Sequence, residues 1–258
     1  MLSPTNPSTP WVLGIVLLGV LGAMVLRAVR KDRREYTRFK RMRATRPRQR
    51  QFRKWVWESF RLYGTASVVT IALAWQFIPL LLDDINSWGW VAEARASFAA
   101  SNFGFGILIG VVVALVGGAV LGIFAARPKK DEDAEVPTLG DVQALLPRNR
   151  AELRWGAALS VNAGVVEELM FRLAVPAALY GITGNAIAAL VGSLAIFGLL
   201  HVYQGIVGIL ASTFIGLLLL VIYLASGSIL LAIVVHILID LRSLVLIPIV
   251  IFKVHQKR

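Results

Sequence analysis

With 258 residues, 57% of them hydrophobic, and no cysteine, the chain has no disulfide or thiol chemistry open to it. Its net charge of +12 sits in one stretch: Arg27 to Arg61 holds fifteen Lys/Arg against Asp32, Glu35 and Glu58, and the rest sums to zero. Apolar runs near or beyond ~18 residues exclude a soluble domain of ordinary size.

Backbone in lipid must be satisfied within each segment, and the apolar runs lack the alternation of a barrel. The expectation is an all-α polytopic membrane protein of about seven transmembrane helices. They are Trp11–Leu26, Phe60–Leu82, Phe103–Ala126, Trp155–Tyr180, Asn185–His201, Ile206–Ala225 and Ser228–Phe252. Residues 1–26 lack a basic leader and a small-residue cleavage site, so they read as a retained anchor with its short N-terminus outside. Residues 27–61 read as a basic cytoplasmic loop held inside by the positive-inside rule and touching anionic lipid. The loop carries no recognisable nucleic-acid module, so nucleic acid is not expected as a partner.

The region 62–126 then holds the second and third spans, joined by a weakly acidic outer loop from Asp83 to Asn102. Residues 127–150 are expected inside. Lys129–Pro137 is a charged linker, and Thr138 with Asp141 resembles a helix cap. Leu139, Val142 and Leu146 share a face there, as in a short interfacial helix. The spacings Gly106/Gly110, Gly118/Gly122 and Gly208/Ser212/Gly216 suit close helix packing. Short outer turns at Tyr180–Gly184 and Ala225–Gly227, and a basic tail at 253–258, complete a multi-pass cell-membrane topology with the C-terminus cytoplasmic.

Terminal residues apart, the first three spans carry no charge. The last four contain Glu167, Glu168, Arg172, His201, His236, Asp240 and Arg242. Each would cost about 2.5–3.5 kcal/mol or more in a lipid-exposed helix centre, so they are expected to face inward and meet. Glu168 and Arg172 are four apart, with the acid N-terminal to the base as an ion pair prefers. Glu167 lies about 100° round the helix and is left pointing elsewhere. His236 and Asp240 also share a face, and Phe197 lies one turn before His201, where its ring can pack under the imidazole. Buried pairs of this kind can also serve only to fix helix register.

EELMFR (Glu167–Arg172), FGLLH (Phe197–His201) and HILID (His236–Asp240) resemble the ordered motifs EExxxR, FxxxH and HxxxN/D. These belong to the CAAX-processing and bacteriocin-processing (CPBP, or Abi) family of glutamate-dependent intramembrane proteases. The resemblance covers about residues 151–252, roughly 40% of the chain. It implies an intramembrane endopeptidase of CAAX prenyl protease-like type, acting on a membrane-associated peptide or protein without a cofactor or metal. By position, it implies Glu167 as the general base for water, His201 as its helper, and His236 with Asp240 at the oxyanion. Glu168 and Arg172 become supports, with Phe197 beside His201. Where the eukaryotic prenyl proteases have asparagine, this chain has Asp240, and an ionised aspartate has no proton to donate.

His201 falls near the inner end of its span while Glu167, His236 and Asp240 lie nearer mid-membrane, a spread that a water-filled funnel open to the cytoplasm would reconcile. One alternative is a zinc-dependent membrane metalloprotease using Glu167, Glu168, His201, His236 and Asp240, although HExxH is absent. Others are a proton-coupled transporter, against which the chain shows no repeated halves, and a non-catalytic membrane immunity protein.

Overall fold

The computed structural model describes residues 2–100, 143–250 and 252–256, with positions 106, 110, 114 and 117. All regular structure among them is helical. Helix α1 (Thr9–Arg27) starts with Pro10 in its first turn, where the missing N–H costs nothing. A π-helical turn, Ala28–Asp32, carries it without a break into α2 (Arg33–Lys40). After a short turn, α3 (Thr45–Ser59), the π turn Phe60–Gly64 and α4 (Thr65–Ala74) form a second continuous rod.

The basic segment expected as a loop is therefore a helical hairpin. The reason is a narrow apolar face within the basic run. Phe39 rests against Phe52 and Trp55 at ring-centroid distances of 5.1 and 4.8 Å. Glu35 accepts hydrogen bonds from Gln51, Lys54 and Trp55 across the hairpin. Arg27 and Lys31 both bind Glu58. Arg30, Arg33, Arg34 and Arg38 stay exposed on the outer side.

The second predicted span also departs from expectation, because the rod bends by 82° between α4 and α5 (Phe77–Asn86). The outer loop expected from Asp83 is helical instead, through α5 and α6 (Gly89–Ala100). Three described helices are long and apolar enough to cross a membrane: Thr9–Lys40, Val202–Ser226 and Ile229–Val250. The bent pair makes a fourth if counted as one span. Among the described residues, three or four of the seven predicted spans meet this criterion. The segment expected at Trp155–Tyr180 is one rod of α7 (Arg150–Glu168), the π turn Leu169–Ala174 and α8 (Val175–Thr183), and its charges keep it out of the apolar class. Helix α9 (Ala186–Leu200) is apolar but has only 15 residues. The predicted span Phe103–Ala126, apart from positions 106, 110, 114 and 117, lies outside the described residues, as do the charged linker, the Thr138 cap and Gly118/Gly122. Of the predicted interfacial helix, the described part is a single 3-10 turn, Gln143–Leu145.

Helices α10 (Gly205–Ser226) and α11 (Ile229–Leu241) continue the chain, and a π turn at Arg242–Leu246 leads into α12 (Ile247–Val250). Asn185 and Ser228 cap α9 and α11, their side chains accepting from Ala188 N and Leu231 N. The main core joins Leu13, Leu17 and Met24 of α1 to Phe77, Met170, Phe171 and Ala174, so the N-terminal helices cover the charged rod.

Candidate active site

A fully buried ion pair fixes the base of the charged rod. Asn149 caps α7 by accepting from Glu152 N, and its amide donates to Thr45 Oγ1 in the hairpin. Glu152 meets Arg48 at 3.1 Å, with both side chains at 1% exposure or less. Arg48 also donates to the carbonyls of Ala144 and Leu146 and lies 4.3 Å over the Phe39 ring. Carboxylate, carbonyl and ring contacts thus surround the buried guanidinium, although its Nη1 has no hydrogen-bond partner among the described residues.

Three turns along, α7 runs against α11. Gly164 makes the approach possible: a Cβ there would stand 2.5 Å from Ile237 Cγ1 and about 3 Å from the Ile237 backbone nitrogen. The consequence is contact between the two charged motifs. Glu168, with no exposed surface, pairs with Arg172, whose Nε stands 3.0 Å from Oε2 as an ion pair and whose Nη2 donates to Oε1 at 3.5 Å. Oε1 also lies 2.9 Å from His236 Nδ1. Arg172 also donates to the Gly216 carbonyl at 3.0 Å and sits 5.6 Å from the Phe197 ring centre. The predicted Glu168–Arg172 pair therefore forms, and it gains His236 as a third member.

Glu167 faces differently. Among the described residues its carboxylate has no hydrogen-bond or ion-pair partner, and it lines a cavity of about 560 Å³ with His201, His236 and Asp240. The structure thus brings these four predicted residues to one space. Glu168 and Arg172 lie behind it, and Phe197 forms part of its wall. His236 Nε2 stands 3.9 Å from Asp240 Oδ2, an ion-pair separation too long for a hydrogen bond. His201 Nδ1 lies 2.8 Å from the Phe197 carbonyl, an acceptor only, so Nδ1 carries the proton and Nε2 of the neutral ring has its lone pair available. The Phe197 and His201 rings are 4.9 Å apart, as the one-turn spacing predicted.

The four described π turns all reach this cavity, through Asp32, Tyr63, Phe171 and Arg242. One extra residue per turn re-aims side chains without breaking the helix, a device often found at functional sites. Among the described residues, no three His, Asp or Glu groups converge in a way that could hold a metal ion. The five residues suggested for zinc do not form such a set.

Residues 149–242 match the family model described as type II CAAX prenyl endopeptidase Rce1-like. The match covers a little over a third of the chain, and the likeness is to this stretch. No curated protein and no solved structure matches the chain. The match agrees with the CPBP resemblance carried by the three motifs, and it spans α7 to α11, which hold all four cavity-facing groups. The Rce1-like region does not build the cavity alone, however. Arg27, Asp32, Tyr36, Trp55, Ser59 and Tyr63 of the hairpin line it too. Sequence reasoning passed over these residues, and over Arg48–Glu152. The one available signal for the latter was Asn149 three residues before Glu152, the pattern of a capping box.

Proposed function

We propose that the chain is an intramembrane endopeptidase that hydrolyses a peptide bond of a membrane-associated substrate with water activated by Glu167. The observation that carries this reading is the split between adjacent carboxylates: Glu168 is consumed by Arg172 and His236, while Glu167 opens onto the cavity shared with His201, His236 and Asp240. The Glu167 carboxylate accepts a proton from water as the oxygen attacks the peptide carbonyl carbon. His201 Nε2 accepts a hydrogen bond from that water and holds it. The tetrahedral oxyanion is met by a donor on the His236 side. Collapse breaks the C–N bond, and the proton held by Glu167 passes to the departing amine.

For His236, Nδ1–H is spent on Glu168, so a donor at Nε2 requires the imidazolium form. Carboxyl groups of Glu168 and Asp240 flank that ring on its two sides, which suits a cation. On this reading Asp240 steadies His236 and does not itself donate to the oxyanion. No cofactor enters the scheme.

The hairpin supports a membrane placement with its basic side at the cytoplasmic surface. Trp57 and Phe60 are about half exposed, next to exposed Arg53 and Arg61, an arrangement that fits a bilayer interface with anionic lipid. Reporter fusions should then place Arg27–Arg61 and the C-terminus on the cytoplasmic side of the cell membrane, with the N-terminus outside. Cleavage of a membrane-anchored peptide library by the purified protein, and its loss in Glu167→Gln, tests the activity. Undiminished cleavage in that variant would remove the proposal.

A further inference from the structure

His201 does not stand alone at the end of α9. The chain turns at once through Val202–Gln204 into α10. This turn depends on Gly205, whose φ of +79° and ψ of −178° lie in a region essentially reserved for glycine. Gln204 N donates to the His201 carbonyl at 2.9 Å, closing the turn on itself. The result folds Tyr203 back over the imidazole, with the rings 6.1 Å apart and inclined by only 29°. Phe197 packs against the same imidazole at 4.9 Å, so the histidine ring lies between two aromatic rings.

Tyr203 is itself held. Gln204 Nε2 donates to its hydroxyl at 2.9 Å. Its ring takes an edge contact from Tyr36, at 5.9 Å and 70°. Tyr36 belongs to α2 in the hairpin, outside the Rce1-like residues, and is buried with Lys40 Nζ 5.3 Å over its ring. On the far side Phe197 continues to Phe171, at 5.3 Å, in the π turn after Glu168. One row of rings thus runs from the basic hairpin, across His201, to the turn that follows the two glutamates. Edge and offset contacts in the 4.5–7 Å range are favourable for aromatic pairs, and they constrain ring orientation as well as distance.

We infer that Tyr203 is a positioning residue for His201, and that Tyr36 of the N-terminal hairpin acts through Tyr203 to the same end. The inference rests on the proposed role of His201 in holding the attacking water. The Nδ1–H bond to Phe197 leaves the imidazole free to tilt about that contact, and the Tyr203 ring restricts the tilt. Nε2 is thereby held at one place on the cavity wall. A misplacement of about 1 Å in such a group costs on the order of a hundredfold in rate. The hairpin is then part of the catalytic apparatus, and its contribution reaches the reacting atoms through an aromatic edge contact.

The test uses the full chain in lipid nanodiscs, with Tyr203→Leu, Tyr203→Phe, Tyr36→Leu and Tyr36→Phe. Steady-state cleavage is measured beside imidazole NMR on histidine-labelled protein, which is tractable because the chain has three histidines. Tyr203→Leu should lower kcat by about ten- to a hundredfold, leave KM within about twofold, and shift and broaden the His201 ring signals. Tyr203→Phe should keep kcat within about threefold, because the ring remains when the Gln204 contact is lost. Tyr36→Leu should act in the same direction as Tyr203→Leu but more weakly, and Tyr36→Phe, which keeps the ring edge, should lose less than Tyr36→Leu. Unchanged His201 signals in Tyr203→Leu and in Tyr36→Leu would overturn the inference. So would an equal loss of kcat in Tyr203→Phe and Tyr203→Leu, which would assign the effect to the hydroxyl. Should Tyr203→Leu fail to fold, the Tyr36 pair decides alone. The NMR readout also separates this inference from the protease reading, since it reports on the ring whether or not peptide is cleaved.

Discussion

Two buried acid–base clusters hold this molecule together, and they differ in one respect. Arg48 and Glu152 join the hairpin to the start of the charged rod, and the Glu152 carboxylate is committed to Arg48 and to the Arg148 backbone N–H. Glu168, Arg172 and His236 join the rod to α11 in the same manner, but their neighbour Glu167 is left facing a cavity. Burial of charge is common to both and marks neither as catalytic. Chemistry becomes possible where a second ionisable group beside a satisfied cluster keeps an open face. The first cluster closes the fold, and the second closes the fold beside a carboxylate that faces a cavity, which the proposed mechanism uses as its base.

Substitutions should separate the two clusters by what they damage. Arg48→Met leaves Glu152 buried without its cation, which costs about 3–5 kcal/mol and should appear as a sharp fall in thermal stability and folded yield. Activity per folded molecule should fall far less. A variant with full stability would show that the clamp is dispensable. His201→Ala lies on the open side of the second cluster, so it should lower kcat by about a hundredfold with little change in melting temperature. A large loss of stability with no change in kcat would return His201 to a packing role.

Smaller effects sharpen the comparison further. Asp240→Asn keeps the shape beside His236 and should retain activity within about tenfold, with strong chelators having no effect on the wild type. In a metal site the same change replaces an anionic ligand by a neutral amide and weakens metal content together with rate. Activity abolished by chelator, restored by zinc and absent in Asp240→Asn would overturn the metal-free scheme. At the low end stands Lys54→Ala, which removes an exposed partner of Glu35 and should cost about 0–1 kcal/mol in thermal stability. A loss comparable to that of Arg48→Met would mean that the hairpin depends on its surface pairs more than on its buried one.

The sequence made the second cluster more legible than the first. Glu168–Arg172 and Phe197–His201 are neighbours at helical spacing, so a single helix suffices to predict each contact. Arg48 and Glu152 are separated by 104 residues, and no local pattern pairs them. The cavity wall was hidden for a related reason. In a run of fifteen cations, Tyr36 and Trp55 look like scattered aromatics, and they line the cavity only once Phe39, Phe52 and Trp55 bring α2 and α3 back on each other. The contact of Glu168 with His236 likewise depended on how closely α7 and α11 approach at Gly164. Hydrophobic length alone shows neither the 82° bend after Ala74 nor the charges in the rod, so only three or four described helices meet the length and composition of a span.

The division of labour between Glu167 and Glu168 is tested most directly by measuring cleavage and thermal stability side by side in Glu167→Gln and Glu168→Gln. Glu167→Gln should lose at least about a hundredfold in kcat while melting like the wild type. Glu168→Gln should lose stability as well as activity, because Arg172 and His236 are left without their shared anion. A Glu167→Gln protein that cleaves as fast as wild type, or a Glu168→Gln protein that melts normally and alone loses activity, would contradict the account.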